Sequence, residues 1–168
     1  NPLGYNHASL LRVLQKNART TPIKYGGQDF VIPEHLHLIE ELLKIVPKEM
    51  NAAFLINSGA EANENAIKIA CRKNPSAKFG ISFTNAWHGR TSGAISLTNS
   101  RSVQVKHYLK IPIKRLPYAD HAAEELENMI KRECDASEIG FVIMECVQGE
   151  GGYYPAPAKM VKEIRKTT

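Results

Sequence analysis

The chain has 168 residues, of which 43% are hydrophobic and 23% charged. This composition is ordinary for one globular domain and argues against a disordered chain. The formal net charge is +5, but lysine and arginine are spread along the chain instead of forming a basic stripe with aromatic residues, so no nucleic-acid partner is expected. Its longest apolar runs are far shorter than the roughly 20 residues of a membrane-spanning helix, so no membrane partner is expected either.

Apolar periodicity predicts helices that alternate with strands. Helices are expected over residues 7–17, 35–45, 61–73 and 122–132, and strands over residues 52–57, 79–83 and 140–146. The stretch containing Pro112 and Pro117 is predicted to be irregular, and the chain finishes in an amphipathic helix with Met160, Val161 and Ile164 on one face. This alternation predicts an α/β fold with a partial, mostly parallel sheet flanked by helices, forming a single domain over residues 1–168.

The first motif reads SGAEANENAIK and starts at Ser58, directly after a predicted strand. Ser58 and Glu61 have the spacing of a capping box, and Gly59 allows a tight turn and the close approach of a ligand. Free amides at a helix start suit a phosphate group, although an ordinary serine-capped turn explains the same residues. Neither GxxxxGK[ST] nor a GxGxxG after a strand occurs, so any phosphate belongs to a cofactor smaller than a nucleotide.

The second motif reads AWHGRTSGA and starts at Ala86, just past the predicted strand over residues 79–83. Ligands of α/β sheets usually bind at the carboxyl ends of strands. Trp87, the single tryptophan, is therefore placed to stack on a flat heteroaromatic ring, and a core-filling role is the alternative. His88 has an equally ordinary alternative as a structural histidine.

The third motif, MECVQGEGG from Met144, follows another predicted strand. It delivers Glu145 at the strand end, followed by Gln148 and Glu150. Carboxylates in this place can orient a cofactor and a substrate through charge and hydrogen bonds. They can equally cap loops or pair with arginines on the surface.

Two further patterns predict neither a disulfide nor a metal site. Three cysteines, Cys71, Cys134 and Cys146, are odd in number and lack CxxC spacing, which favours a reducing compartment, namely the cytoplasm or the mitochondrial matrix of a eukaryote. A metal site at Glu34, His35, His37 and Glu41 is disfavoured, because two helical residues two positions apart point about 200° away from each other.

The three motifs, in this order, resemble the class III, fold type I pyridoxal-phosphate aminotransferases, particularly the 4-aminobutyrate type. NPLGYNH at the start and PKEM before the first motif resemble that group as well, so the resemblance covers nearly the whole chain. There are two departures: the family usually has tyrosine or phenylalanine in place of Trp87, and proline in place of Cys146.

The resemblance implies a role for each motif in holding pyridoxal 5'-phosphate. The turn at Ser58, with the amides of Gly59 and Ala60, would hold the phosphate. Trp87 would stack on the pyridine ring, with His88 close to the ring.

The third motif would complete the site. By resemblance, Glu145 would lie in a supporting position on the pyridine side, and Gln148 would also bind the cofactor. Glu150 would be the gate carboxylate that meets a substrate-side arginine.

Two catalytic groups of the family cannot be assigned in this chain. One is the lysine that forms the Schiff base with the cofactor, and the other is an aspartate in an Asp-Glu-Val-Gln strand that pairs with the pyridine nitrogen. The aspartates here are Asp29, Asp120 and Asp135, and none stands in such a strand. The chain is therefore expected to be the first half of the large domain of a longer aminotransferase, and to be inactive alone.

For the parent protein the resemblance implies a homodimer that transfers an amino group from an ω-amino acid, 4-aminobutyrate first, to a keto acid such as 2-oxoglutarate. Ornithine, lysine and acetylornithine remain open as donors, and an amino-acid racemase or epimerase remains open as an activity. A non-catalytic module that binds a phosphate compound is the alternative if 168 residues is the natural length.

Overall fold

A computed structural model describes residues 2–20 and 31–168, in two compact units that comprise residues 1–55 and 56–168. The first unit contains helices α1 (Ala8–Thr20) and α2 (Pro33–Leu43). Pro33 opens α2, as expected of a residue whose fixed φ and missing N–H suit the first helical position. Both predicted helices are confirmed, with bounds shifted by a few residues.

The second unit is built on a sheet of three parallel strands. Central strand β1 (Phe79–Phe83) lies between β2 (Ile113–Leu116) and β3 (Ile139–Val142). Parallel strands require crossover connections. The helical segments of this unit are α3 (Gly59–Lys73), α4 (Ser92–Leu97), α5 (Ser102–Val105), α6 (Ala122–Arg132), a 3-10 turn (Ala136–Glu138) and α7 (Ala158–Thr167). The predicted α/β class, with a parallel sheet flanked by helices, is confirmed.

The core of this unit forms where β1 and β2 meet α6 and α7. Ile81 and Phe83, on one face of β1, are fully buried because they pack in one cluster with helix residues that include Leu126 of α6. Met160 and Ile164 of α7 are buried in the same cluster, which confirms these two residues of the predicted apolar face, whereas Val161, predicted on the same face, is 38% exposed. The core therefore fixes the carboxyl end of β1, from which the second motif begins.

The third motif folds into a short antiparallel hairpin. Its strands are β4 (Val147–Gln148) and β5 (Tyr154–Pro155), which pair Gln148 with Tyr154. The hairpin returns the chain to α7.

The predicted buried strand over residues 52–57 is wrong. This segment has no sheet partner among the described residues, and Phe54 is 54% exposed. A strand requires a neighbour that completes its hydrogen bonds, and β1, the centre of the described sheet, has β2 and β3 on its two edges. Apolar sequence alone could not supply that neighbour.

Two other predicted segments differ from the structure. The stretch around Pro112 and Pro117, predicted to be irregular, contains β2 between the two prolines. Lys114 and Arg115 interrupt its apolar pattern, which hid the strand. The predicted strand over residues 140–146 is shorter and ends at Val142.

The described residues add three observations about membranes, metals and thiols. None of their helices combines the length and apolar character needed to cross a membrane. Within residues 2–20 and 31–168, no cluster of three or more His, Cys, Asp or Glu side chains has the geometry of a metal site. The three cysteines are free thiols.

Candidate functional site

The start of α3 and the loop after β1 face each other across an open cleft of about 760 Å³, a size typical of cofactor sites. Five of the residues predicted for the site line this cleft, from two separate motifs: Ser58, Gly59, Ala60, Trp87 and His88. Tertiary folding thus brings the predicted phosphate turn and the predicted ring-stacking loop to one cleft.

The start of α3 is a capping box. Ser58 Oγ accepts a hydrogen bond from the Glu61 amide at 3.2 Å, and the Glu61 carboxylate accepts one from the Asn57 amide at 2.9 Å. The Ala62 amide donates to the Ser58 carbonyl at 3.0 Å. The Gly59 and Ala60 amides, at the first two helical positions, have no intrahelical acceptor, and no other described group accepts from them. These two N–H groups and the positive end of the helix dipole suit an anion.

The loop after β1 presents Trp87 to the same cleft. Asn85 adopts a positive φ of 60°, which turns the chain at the strand end because asparagine tolerates this conformation. Trp87 is half-buried, and the guanidinium of Arg90 lies 5.9 Å from the centroid of its indole. An aromatic face of this kind can stack on a flat ring, as predicted from its place after the strand.

Gly89 allows the loop to approach α3 closely. Its φ is +121°, a conformation that favours glycine. A Cβ atom here would lie 2.6 Å from Ala60 Cβ and 3.0 Å from Ala60 Cα. The second motif therefore needs glycine at the point where it contacts the first.

His88 is 7% exposed, and its backbone is fixed on both sides. Its amide donates to Thr98 Oγ1 at 3.0 Å, and its carbonyl accepts from Asn63 Nδ2 at 2.7 Å. The ring atom Nε2 is buried without a hydrogen-bond partner among the described residues. Burial lowers the pKa of His88; the nearby Glu145 carboxylate opposes this effect and the Arg115 guanidinium adds to it. His88 is therefore a neutral imidazole at neutral pH.

Glu145 joins the loop after β1 to the third motif. One carboxylate oxygen accepts from the Trp87 amide at 3.0 Å, and the other accepts from the Gly149 amide at 3.3 Å. Its carbonyl accepts from the Tyr118 hydroxyl at 2.7 Å. Glu145 thus fixes the backbone that carries the indole, from outside the cleft lining.

The other two predicted residues of the third motif also lie outside the lining of the cleft. Gln148 is 2% exposed, and its amide nitrogen donates to the Thr84 carbonyl at 2.7 Å, which supports the strand end beneath the loop. Glu150 is exposed, with a carboxylate oxygen 3.8 Å from the Arg101 guanidinium. Their predicted contacts with cofactor and substrate stay predictions.

Sequence reasoning did not identify Asn63 and Glu64, which follow the phosphate turn on α3. Asn63 Nδ2 donates to the His88 carbonyl. Glu64 Oε1 accepts from Thr91 Oγ1 at 2.6 Å and from the Gly93 and Ala94 amides at 2.7 and 3.2 Å. Both residues belong to the first motif, which was the signal that could have identified them, but their hydrogen-bond partners lie in the second motif.

Helix α4 is held at both ends by charged side chains of other elements. The Glu64 carboxylate lies at its amino end, and Arg115 donates to the Ser96 and Thr98 carbonyls at 2.8 and 3.2 Å at its carboxyl end. Both charges match the helix dipole. Residues 93–97 are all buried, so α4 is a buried, capped helix directly after the loop that carries Trp87.

The whole chain, residues 1–168, matches the family described as aminotransferase class-III. The chain is 36% identical over 169 residues to a putative [LysW]-aminoadipate semialdehyde/glutamate semialdehyde transaminase of Pyrococcus furiosus, covering 100% of this chain and 43% of that protein. It is 30% identical to the mitochondrial acetylornithine aminotransferase of Candida glabrata, covering 98% of this chain and 40% of that protein. The chain thus spans less than half the length of these curated relatives.

Solved structures share the fold. An amine transaminase from an uncultivated Pseudomonas species, solved in its pyridoxal-phosphate-bound form, has a TM-score of 0.83 at 23% identity, over 98% of this chain and 42% of that chain. An (S)-enantioselective ω-transaminase of Thermomicrobium roseum has a TM-score of 0.84 at 24% identity, over 98% of this chain and 41% of that chain. With the family match over its full length, the chain belongs to the class-III aminotransferases, a pyridoxal-phosphate family.

Proposed function

We propose that the protein carrying this chain is a pyridoxal-phosphate-dependent aminotransferase, and that residues 1–168 supply its phosphate turn and ring-stacking loop. One observation carries the proposal: two helix-start amides, for which no described residue is an acceptor, and a half-buried indole face the same cleft. When bound, the cofactor supplies an electron sink for the bonds around the substrate amine. The chain supplies binding, orientation and local electrostatics.

The described residues fit this cofactor at three points. The Gly59 and Ala60 amides suit the phosphate, and the Trp87 face suits a planar ring. The buried Nε2 of His88 has no partner within the described part of the chain, and a buried polar atom without a partner is costly, so a polar group of the bound cofactor would satisfy it. Phosphate, ring and polar substituent are all features of pyridoxal phosphate.

The chain's own residues prepare the site before any ligand arrives. Glu145 accepts a hydrogen bond from the Trp87 backbone amide, and this fixes the backbone that carries the indole. His88 stays neutral because burial opposes its protonation, so it presents a ring nitrogen without adding positive charge. Arg90 adds a cation beside the indole.

Substitution of Ser58 by Asp tests the phosphate turn in the full-length protein. Aspartate caps helices as well as serine does, so we expect the thermal midpoint to change little. The negative charge of the aspartate repels a phosphate, so pyridoxal phosphate should bind to the variant at least about tenfold more weakly. Pyridoxal, which lacks the phosphate, should bind to the variant as it does to the wild type. Absorbance titrations with both compounds measure this difference, and an equal loss for both would reject the phosphate turn.

For the substrates we propose a primary amine at the end of an aliphatic chain as donor and 2-oxoglutarate as acceptor. Relatives named for acetylornithine and for 5-aminovalerate support a terminal amine, and 4-aminobutyrate belongs to the same chemical class. Glutamate formation from 2-oxoglutarate with each of these donors, and with ornithine and lysine, measures the preference. Inversion of an amino acid without any keto acid would favour the racemase or epimerase alternative.

We also propose a homodimer in a reducing compartment. The homodimer is supported by exposed apolar side chains on α1, such as Leu10 and Leu14, which a second subunit would cover. The reducing compartment is supported by the three free thiols. Light scattering of the full-length protein tests the dimer, and a monomeric mass would reject it.

A further inference from the structure

Glu64 is a charged residue of α3 that does not line the cleft, although Asn63 beside it does. Its carboxylate oxygen Oε1 accepts three hydrogen bonds, from the Thr91 hydroxyl and from the Gly93 and Ala94 amides. The fit is close, since a Cβ atom on Gly93 would overlap the Glu64 carboxylate. Glu64 therefore differs from an ordinary surface carboxylate, whose main hydrogen-bond partner is solvent.

The role of this carboxylate follows from the start of α4. Thr91 is the residue that precedes the helix, yet its side chain makes no capping hydrogen bond to α4. It donates to Glu64 instead, and Glu64 accepts from the amides that a cap residue would normally satisfy. A carboxylate of one helix therefore caps another and holds the last residue of the ring-stacking loop.

The far end of α4 returns to the same loop. Thr98 ends the helix, and its hydroxyl accepts from the His88 amide at 3.0 Å and donates to the Gly89 or Ala94 carbonyl, each 3.1 Å away. The loop carrying Trp87 is thus hydrogen-bonded to residues at both ends of α4. Glu64 makes the contact at the amino end, and Thr98 makes the contacts at the carboxyl end.

We propose that Glu64 is a positioning residue: by capping α4 from α3, it fixes the loop that presents Trp87 to the cofactor ring at a set distance from the phosphate turn. The inference rests on the proposed cofactor function. Glu64 acts through α4 and the loop, without contact with substrate or cofactor.

The test compares Glu64→Ala with Glu64→Gln in the full-length protein. Glutamine keeps an oxygen that can accept the same bonds, whereas alanine removes it. We expect pyridoxal phosphate to bind about fivefold more weakly to the alanine variant, in line with the loss of a helix cap, and the glutamine variant to recover most of that loss. The visible circular dichroism of the bound cofactor should also change in the alanine variant, because the ring loses its fixed stacking partner.

Two controls separate positioning from general stability. Glu138→Ala removes a carboxylate that pairs with Lys78 away from the cleft, and it should leave cofactor affinity and circular dichroism unchanged. Inorganic phosphate should compete with the cofactor equally well in Glu64→Ala and wild type, because the α3 amides remain. Wild-type affinity and circular dichroism in Glu64→Ala, or an equal loss in Glu138→Ala, would overturn the proposal.

A measurement without cofactor keeps this inference separate from the proposed function. Hydrogen exchange in the peptide covering residues 86–98 should be faster in Glu64→Ala than in wild type and Glu138→Ala. If the wild type binds no pyridoxal phosphate, the proposed function is rejected. If hydrogen exchange in Glu64→Ala equals that of the wild type, Glu64 is rejected as the residue that holds the loop, whatever the result for the cofactor.

Discussion

Gly89 is a residue at which the second motif approaches Ala60 of the first motif closely. Its φ of +121° is unfavourable for alanine, and a Cβ would collide with Ala60. We expect Gly89→Ala to destabilise the full-length protein by roughly 2 kcal/mol or more, from backbone strain and overpacking together. Thermal unfolding measures the effect.

Gly149→Ala is the matched control for this substitution. A Cβ at Gly149 meets no described atom within 4 Å, so the thermal midpoint of Gly149→Ala should stay close to that of the wild type. Equal shifts for the two alanine variants would contradict the close approach at Gly89.

The burial of His88 predicts that the stability of the protein depends on pH. Burial lowers its folded-state pKa below the ordinary value of 6.5, so the unfolded state binds the proton at a higher pH than the folded state does. The free energy of unfolding should therefore fall as pH drops from above 6.5 toward the lowered pKa. Thermal midpoints of wild type and His88→Gln between about pH 7.5 and pH 5.5 test this. The wild type should lose more stability than the variant, and parallel curves would show that His88 contributes nothing.

At the scale of elements, α4 is a short helix that depends on caps from its neighbours. The Arg115 guanidinium donates to the carbonyl oxygens of Ser96 and Thr98 at the carboxyl end of α4. Removing the guanidinium leaves both oxygens without this donor. Arg115→Met should cost about 1–3 kcal/mol, the usual penalty for an unsatisfied buried group. Thermal unfolding measures the loss.

Arg132→Met provides the comparison for that variant. Arg132 is an exposed arginine in the last turn of α6, so the same change there should alter the midpoint little. If both variants lose the same stability, the loss at Arg115 does not come from the cap of α4.

At the scale of the whole molecule, each unit exposes large apolar side chains. Leu14 on α1 is 65% exposed in the first unit, and Leu109 is 96% exposed in the second. Exposed apolar surface favours association, so we expect the 168-residue polypeptide made alone to self-associate. Light scattering of this polypeptide, with the full-length protein for comparison, measures the effect. A clean monomer of the 168-residue polypeptide would contradict the prediction that it is part of a larger domain.

The sequence by itself determined the features that depend on neighbours along the chain. The Ser58 cap follows from a spacing of three residues, and the position of Trp87 follows from the strand that ends just before it. The helix over residues 122–132 follows from its apolar periodicity. Local hydrogen bonds and one-sided burial produce these features, so their signals survive in a single sequence, as do the three motifs that indicate the family.

Only the tertiary structure decided what depends on distant partners. Residues 52–57 have the composition of a strand but no described neighbour to pair with, whereas β2 pairs with β1 although its own pattern is weak. Glu64 is an unremarked helix residue until folding brings the start of α4 against it. Hydrogen bonds between segments far apart in sequence are set by packing of the core, and a single sequence records neither their partners nor their distances.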